Sequence, residues 1–468
     1  MKKLLILNFF LLTTALAAIG QHSQTLYYME RLPQVTSMNP AIQPVSNFYL
    51  GFPVVSNVNL NVGNNTFSYN DIIFESDEVG SKITFLHPSY NIDDFLGKMN
   101  DNNDIFTELS TNIFNIGFRA DESYFTIRIQ EKSDIRMSYP KDLAEIMLKG
   151  NEDFKGETAH FGDFSVHSSH YLEYSLGYSQ QVTDELTFGI NAKYLNGLGL
   201  LKSEEFDMGL YTSQDGDSLS VTSDIALKGT APFNISTDSA GYVDDTEFSD
   251  IKISDLTSNP GFAIDFGATY ELTENLTLSA SVVDLGFINY KNFSHNYNIN
   301  GQFSFTGIDV SNEFGGDEES DPMENITDSL KDEIKMEYSD QGFLHFLGPK
   351  IYAGARYYIG DRLDFGLLSR TQFYNGRALQ SFTLSANTRP FRGFSFTASY
   401  SILNNAYNNL GLGVILRLGP FQVYAMSDTF SAGLWPHKTQ SFNMRVGLNF
   451  AFGNNPKKRL LENEPMIR

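Results

Sequence analysis

The feature that most constrains this sequence is a series of segments in which apolar and polar residues alternate. The clearest examples cover 262–272, 394–402 and 442–452, where large apolar residues alternate with small or polar ones. Each is about as long as a membrane-crossing β-strand of roughly 9–11 residues. Such a strand has one apolar face and one polar face. A soluble β-sandwich alternates in the same way, so alternation alone leaves both folds open.

The connections between these segments favour a transmembrane barrel. Short turns at 183–185, 273–275 and 360–362 alternate along the chain with longer connections, of which 202–261 and 291–349 are very long. Short turns on one rim and long loops on the other are typical of outer-membrane barrels. We therefore predict an all-β fold, a closed antiparallel transmembrane barrel of about 14 strands, between roughly 12 and 16. Short loop helices are predicted at 140–150 and 322–338. The predicted strands are 48–62, 105–120, 124–137, 170–182, 186–201, 262–272, 276–290, 350–359, 363–373, 380–389, 394–402, 410–418, 421–428 and 441–452.

The N-terminus predicts export. Lys2 and Lys3 precede an apolar stretch, and Ala18 and Gly20 suit cleavage before Gln21, so residues 1–20 read as a signal peptide. No other stretch approaches the length of an apolar helix that spans a bilayer, and a membrane protein without such a helix must be a closed barrel. We expect the cell outer membrane, with both termini periplasmic. The expected partners are outer-membrane lipid, lipopolysaccharide and the barrel-assembly machinery. The expected parts are 21–47 as an N-terminal hatch, 48–452 as the barrel and 453–468 as a polar periplasmic tail.

Composition narrows the chemistry. The formal charge of −23 argues against nucleic acid as a partner, and the absence of cysteine removes disulfides, thiol chemistry and a lipoprotein anchor. The two very long connections each hold twelve acids and three bases. They either bind divalent cations that bridge to lipopolysaccharide or keep the surface soluble. No metal-binding loop spacing is present, and no cofactor or metal is expected.

The predicted strands carry charged residues on the face that alternation assigns to the lumen. Fixed guanidinium groups there either bind a carboxylate or select anions, or they form ion pairs that rigidify a filled barrel. The candidate luminal residues are Arg356, Arg370, Arg389, Arg417, Arg445, Asp265, Asp364 and Asp428.

Catalysis is not expected. The cluster His167-Ser168-Ser169-His170 suggests serine chemistry, but neighbours on a strand point to opposite faces, so Ser169 and His170 diverge. The sequence has no nucleophile elbow, zinc-protease motif or phosphate loop. We predict that the protein is not an enzyme.

The segment after the signal peptide resembles the start of an uncharacterised family of exported barrels, a domain of unknown function. The resemblance rests on 27–34 and 47–53 and continues through 138–143 and 284–288. Asn39-Pro40-Ala41 is similar to a motif of the long-chain fatty acid transporter superfamily. That resemblance implies a 14-stranded barrel with an N-terminal hatch in its lumen, and it makes Asn39, Pro40 and Ala41 the hatch motif. An ordinary Asn-Pro turn explains the three residues equally well.

Two functions remain open. One is a hatch-gated channel or transporter for a small or hydrophobic solute, with a hydrophobic small molecule as its ligand. The other is a structural or secretion scaffold that uses its acidic extracellular loops. An apolar lateral opening favours transport, whereas a lumen packed shut by Arg–Asp pairs favours the scaffold.

Overall fold

The computed structural model describes residues 24–76, 80–231, 233–237, 243–248, 257–306, 333–374, 377–391, 393–403 and 406–453. Fourteen antiparallel strands form a barrel that closes where the last strand pairs with the first, with Phe48 opposite Phe452 and Val58 opposite Val446. This confirms the predicted fold. The strands are β1 (Phe48–Gly51 and Val58–Asn64), β2 (Asn102–Ala120), β3 (Ser123–Pro140), β4 (Ser165–Gln181), β5 (Leu186–Thr212), β6 (Pro260–Thr273), β7 (Leu276–Tyr290), β8 (Lys350–Ile359), β9 (Leu363–Tyr374), β10 (Arg377–Phe391), β11 (Phe394–Leu403), β12 (Ala406–Leu418), β13 (Phe421–Ser427) and β14 (Ser441–Phe452).

Alternation along each strand separates an apolar outer face from the lumen. On β9, for example, Leu367 is 55% exposed, whereas Leu368 next to it is fully buried inside the barrel. Both ends of the barrel chain, Phe48 and Phe452, lie on the rim that carries the short turns. An even number of antiparallel strands requires this arrangement.

The first strand is broken, contrary to the prediction of one continuous strand over 48–62. The backbone N–H of Phe52 donates to the Leu448 carbonyl (3.0 Å), and the N–H of Leu448 donates to the Val55 carbonyl (3.0 Å), so the residues between them bulge out of the ladder. Val54 lies at a φ of +67° in this bulge. The bulge turns the Ser56 carbonyl into the lumen, where it accepts a hydrogen bond from Gln34 Nε2 (2.9 Å).

The two very long connections contain strands. Their prediction as loops was therefore wrong in those parts of the connections that the structure describes as strand. The end of β5 continues beyond the rim and pairs with a further strand, Leu219–Thr230. Two more strands extend this sheet in the order Ser294–Phe305 and then Ile334–Ser339. The helix predicted over 322–338 is therefore wrong over 334–338, where the chain is a strand, while 322–332 lies outside the described residues. Pairing onto the edge of the long β5 hairpin overrides the local helical pattern.

The remaining elements are short. The predicted helix near 140–150 is confirmed as Lys141–Lys149. No helix in the described part of the chain is both long and apolar enough to cross a membrane. The other helices and 3-10 turns are Thr25–Tyr28, Pro33–Ser37, Tyr69–Ile72, Ile92–Leu96, Glu152–Phe154, Ser431–Leu434 and Pro436–Lys438, and the other strands are Ile73–Ser76, Ser81–Thr84, Thr158–His160, Phe233–Thr237, Val243–Phe248 and Phe343–Phe346.

Candidate functional site

Residues 24–47, here called the luminal segment, lie inside the barrel. The apolar side chains of this segment are 7% exposed or less and pack against the few large apolar side chains that the inner wall offers. Outside the barrel they would stay in contact with water, so burial in the lumen is the force that holds the segment there. The shared cluster comprises Leu26, Tyr27, Tyr28, Met29, Leu32, Val35, Met38 and Ile42 of the segment and Val283, Tyr352, Leu368, Ile415, Tyr424 and Met426 of the wall.

The Asn39-Pro40-Ala41 motif forms a buried turn against the wall. Asn39 Oδ1 accepts a hydrogen bond from the Ala41 N–H (2.9 Å), which closes an Asx turn around Pro40. Asn39 Nδ2 donates to the Ala280 carbonyl (3.3 Å) on β7 and to the Tyr27 hydroxyl (3.1 Å). The motif is therefore an Asx turn that also joins the segment to the barrel.

Two glycines make room for this turn. A Cβ atom on Gly189 of β5 would lie 2.2 Å from the Pro40 carbonyl carbon and 2.4 Å from the Ala41 nitrogen. A Cβ on Gly267 of β6 would lie 2.1 Å from Asn39 Oδ1. These distances are far below van der Waals contact, so neighbouring strands must both carry glycine for the turn to fit.

A charged pair links the luminal segment to the wall near the short-turn rim. Glu30 forms an ion pair with Arg356, and the Tyr358 hydroxyl donates to the same carboxylate (3.2 Å). Asp364 accepts from Arg356 Nε (2.8 Å) and from Arg389 Nη2 (2.9 Å). Two acids thus balance two bases within this cluster.

At its N-terminal end the segment is held by uncharged donors. The Thr25 N–H donates to Asp428 Oδ1 (2.8 Å), and the hydroxyl oxygens of Thr25 and Ser399 lie 2.7 Å apart. Gln24 Nε2 donates to Ser381 Oγ (2.7 Å). Residues 24–46 form no strand pairing with the wall; the backbone hydrogen bonds of their turns stay within the segment. The segment is therefore attached to the wall mainly through side chains.

Beside the luminal segment lies a buried group of charges, here called the central ion network. Asp284 forms ion pairs with Lys193 (2.7 Å), Lys350 (2.8 Å) and Lys132 (3.5 Å). Lys193 also contacts Asp265 (2.7 Å). The members, four bases and three acids, are Arg128, Lys132, Glu173, Lys193, Asp265, Asp284 and Lys350.

A bulge in β7 places Asp284 in this network. Ile264 pairs with Leu285 and Phe266 pairs with Val282, so one residue of β6 faces two of β7. Asp284 adopts a φ of +60°, a conformation that costs on the order of 1–3 kcal/mol for a residue other than glycine. Its three lysine contacts offset that cost, and Leu285 returns to the outer face, where it is 50% exposed.

On the side away from the short turns, a cavity of about 180 Å³, here called the chamber, remains in the lumen. Ser37 and Met38 of the luminal segment contribute to its lining, and most of its other lining residues are polar or charged. Glu108 and Asp134 lie in this lining and share Arg136 as their ion-pair partner. These three residues have a net charge of −1 and the central ion network has +1, so together they are neutral.

Of the other predicted luminal arginines, Arg445 lines the chamber. Its Nε donates to Asn59 Oδ1 (3.3 Å), and among the described residues it has no ion-pair partner. Arg370 is buried, with Nη2 donating to Gln372 Oε1 (2.5 Å). Arg417 lies at the short-turn rim, where its Nη2 donates to the Ala451 carbonyl (2.8 Å).

The structure separates the residues of the histidine–serine cluster. Ser169 is 6% exposed and faces the lumen, whereas His170 pairs with Glu131 on the opposite face, with Nε2 and Oε1 2.8 Å apart. His167 faces the chamber, and its ring lies 5.3 Å from that of His345.

Several charged residues of the lumen were missed from the sequence. Alternation on β5 already placed Lys193 on the polar face, so its strand position was a usable signal. For the others, the prediction depends on knowing which alternate residues of a long strand face the lumen, and a charged residue does not reveal this by itself. The luminal residues missed for this reason are Glu108, Arg128, Arg136 and Glu173.

The fold is similar to solved outer-membrane barrels. The toluene transporter TbuX of Ralstonia pickettii is 10% identical, with 90% of this chain and 94% of that chain covered at a TM-score of 0.39. A FadL homologue of Pseudomonas aeruginosa is 10% identical, with 90% and 94% covered at 0.42. The toluene transporter TodX of Pseudomonas putida is 10% identical, with 89% and 92% covered at 0.39. Similarities this low say nothing about what this barrel carries.

No curated protein sequence matches the chain. One family profile does match, over residues 40–428, and its description is "Family of unknown function (DUF5723)". This match covers most of the chain and agrees with the resemblance seen in the N-terminal motifs. The chain therefore belongs to the DUF5723 family of unknown function.

Proposed function

We propose that the protein spans the outer membrane and conducts a small solute through a lumen that its own N-terminal segment closes. The outer face of the barrel supports the first part. Large apolar side chains on strands around the barrel are about half exposed, for example Phe188, Phe266, Leu285, Leu384 and Val423. An apolar surface of this extent requires lipid around it. Near the short-turn rim this surface is aromatic, as in the girdles of bacterial barrels, with Phe125, Tyr270, Tyr357, Phe421 and Phe452.

The observation that carries the gating proposal is the attachment of the luminal segment. The barrel ladder is complete without it, because the last strand pairs directly with the first. The segment occupies much of the lumen below the chamber but contributes no strand to the wall. Moving it would therefore break side-chain contacts and leave the strand pairing of the barrel intact. If the luminal side chains served only to make the barrel rigid, a segment that can move independently of the wall would not be needed. The segment therefore acts as a hatch.

A reversible cross-link tests the gate. The chain has no cysteine, so Thr25→Cys combined with Ser399→Cys introduces the two thiols at side chains whose oxygens lie 2.7 Å apart. A disulfide needs the two Cβ atoms about 3.5–4.5 Å apart, and side-chain oxygens in hydrogen-bond contact place the Cβ atoms close to that range. In liposomes we expect solute flux to fall when the double variant is oxidised and to recover when it is reduced. Deleting 24–45 should raise single-channel conductance above that of the full chain.

Each single-cysteine variant is the control, since its flux should not respond to oxidation. If the oxidised double variant conducts as well as the reduced one, and the deletion conducts no more than the full chain, the segment is not a hatch.

A scaffold remains the second candidate, because buried Arg–Asp pairs at Asp364 occupy part of the lumen and because the sheet extends beyond the rim. Leu219–Thr230, Ser294–Phe305 and Ile334–Ser339 continue the barrel sheet from β5 and present a further surface. Unchanged flux in the cross-linking experiment favours this candidate.

A further inference from the structure

We propose that the chamber is a binding site for a small hydrophilic carboxylate and that Arg445 receives the carboxylate group. This inference deepens the proposed function, because it names the class of solute that would wait above the hatch. The lining of the chamber comes from eight barrel strands, from 345–348 between β7 and β8, and from Ser37 and Met38 of the luminal segment. A solute bound there would therefore contact both the wall and the hatch.

The charge balance identifies the receiving group. The central ion network together with Arg136, Glu108 and Asp134 contains five bases and five acids, and each member has a partner of opposite charge. Arg445 lines the same chamber. The buried Asp428 attracts it electrostatically but forms no ion pair with it, does not line the chamber and accepts hydrogen bonds from Thr25 instead. Arg445 Nε donates to Asn59 Oδ1, and the two Nη groups of the guanidinium fork remain for a ligand. Such a fork matches the two oxygens of a carboxylate.

A second unsatisfied group faces the chamber from another strand. His167 is 8% exposed, and its Nδ1 has no hydrogen-bond partner among the described residues. Its ring packs against His345 and against Tyr374, with ring centres 5.3 Å and 5.5 Å apart. A buried polar nitrogen without a partner costs free energy unless water or a ligand satisfies it. A hydroxylated ligand would do so.

Size and polarity define the ligand class. A cavity of about 180 Å³ holds on the order of a dozen water-sized positions, which corresponds to a ligand of roughly a dozen non-hydrogen atoms. The charged and hydroxyl-bearing lining would leave polar groups unpaired around a hydrocarbon chain, and that is unfavourable. The chamber therefore favours a hydroxylated organic acid over a hydrophobic solute.

Equilibrium binding tests the inference on the full-length protein in detergent. The probe is radiolabelled gluconate, and glucose is the uncharged control of nearly the same size. We expect gluconate to bind at least about tenfold more tightly than glucose, since a charge-assisted hydrogen bond contributes roughly that factor or more. Arg445→Gln should remove the difference, and Arg445→Lys should restore part of it. Arg417→Gln, at the rim, should bind gluconate as the unaltered chain does.

Heat-modifiable migration of each variant verifies that the barrel has assembled. Equal binding of gluconate and glucose overturns the inference, as does an Arg445→Gln variant that binds like Arg417→Gln. Gluconate flux into liposomes is measured separately. Binding without flux supports the chamber site and counts against the channel, whereas flux without selective binding supports the channel and overturns the site.

Discussion

Replacing Gly189 by alanine should displace the luminal segment and so open the lumen to solute, without disrupting the strands of the barrel. The new Cβ would lie 2.2 Å from the Pro40 carbonyl carbon, whereas ordinary van der Waals contact begins at 3.4 Å. The obstructing atoms belong to the backbone of the luminal segment, so no flexible side chain can yield. The turn at Asn39-Pro40-Ala41 must move by more than 1 Å relative to the wall, since 3.4 Å minus 2.2 Å is 1.2 Å.

The displacement of the turn destabilises the closed state of the lumen. It breaks the hydrogen bond from Ser281 Oγ to the Met38 carbonyl (2.7 Å) and the one from Asn39 Nδ2 to the Ala280 carbonyl (3.3 Å). Losing a buried hydrogen bond costs about 1–3 kcal/mol, so the closed state loses roughly 3 kcal/mol in total. A shift of about 1.4 kcal/mol is tenfold in an equilibrium constant, so the ratio of open to closed barrels should rise on the order of 100-fold.

Planar-bilayer recording measures this ratio as open probability. Gly199→Ala is the matched control on the same strand, because a Cβ there would meet only the Thr230 carbonyl oxygen, at 3.6 Å. We expect Gly189→Ala to open far more often than Gly199→Ala, with both assembling in the membrane. Identical open probabilities would refute the claim that the turn seals the lumen.

Three further predictions concern the hatch, the lipid face and the orientation. Glu30→Gln removes the charged hydrogen bond to Arg356, worth about 1.5–3 kcal/mol, and should raise open probability by less than the glycine variant does; an unchanged value would mean that the pair does not hold the hatch. Leu367→Lys should destabilise the barrel in bilayer unfolding experiments by about 2–4 kcal/mol, whereas Leu367→Val should be nearly neutral; equal effects would argue against lipid contact. On intact cells an impermeant maleimide should label Asp215→Cys, beyond the long-loop rim, but not Asp184→Cys in a short turn, and the reverse pattern would invert the barrel.

Much of the architecture was readable from local sequence. Period-two alternation and the order of short and long connections predicted the fourteen strands, because lipid outside and polar groups inside impose opposite requirements on successive residues. The same alternation assigned Arg356, Asp364 and Arg445 to the inner face, and the structure places them there. The apolar residues before the first strand predicted a segment that needs burial.

The positions of the decisive groups depended on the tertiary structure. Strict alternation along β7 from Leu276 places Asp284 on the lipid face, and only the bulge opposite Asp265 turns it inward toward three lysines on other strands. Part of the long connection after β5 forms a strand because the end of β5 extends beyond the rim and offers an edge with which this strand can pair. The sequence likewise did not reveal the partner of Glu30, the glycines that admit the Asn39 turn or the position of Arg445 on the chamber without an ion-pair partner among the described residues. Each of these features is a contact between residues far apart in the chain, and strand pairing around the closed barrel determines which residues meet.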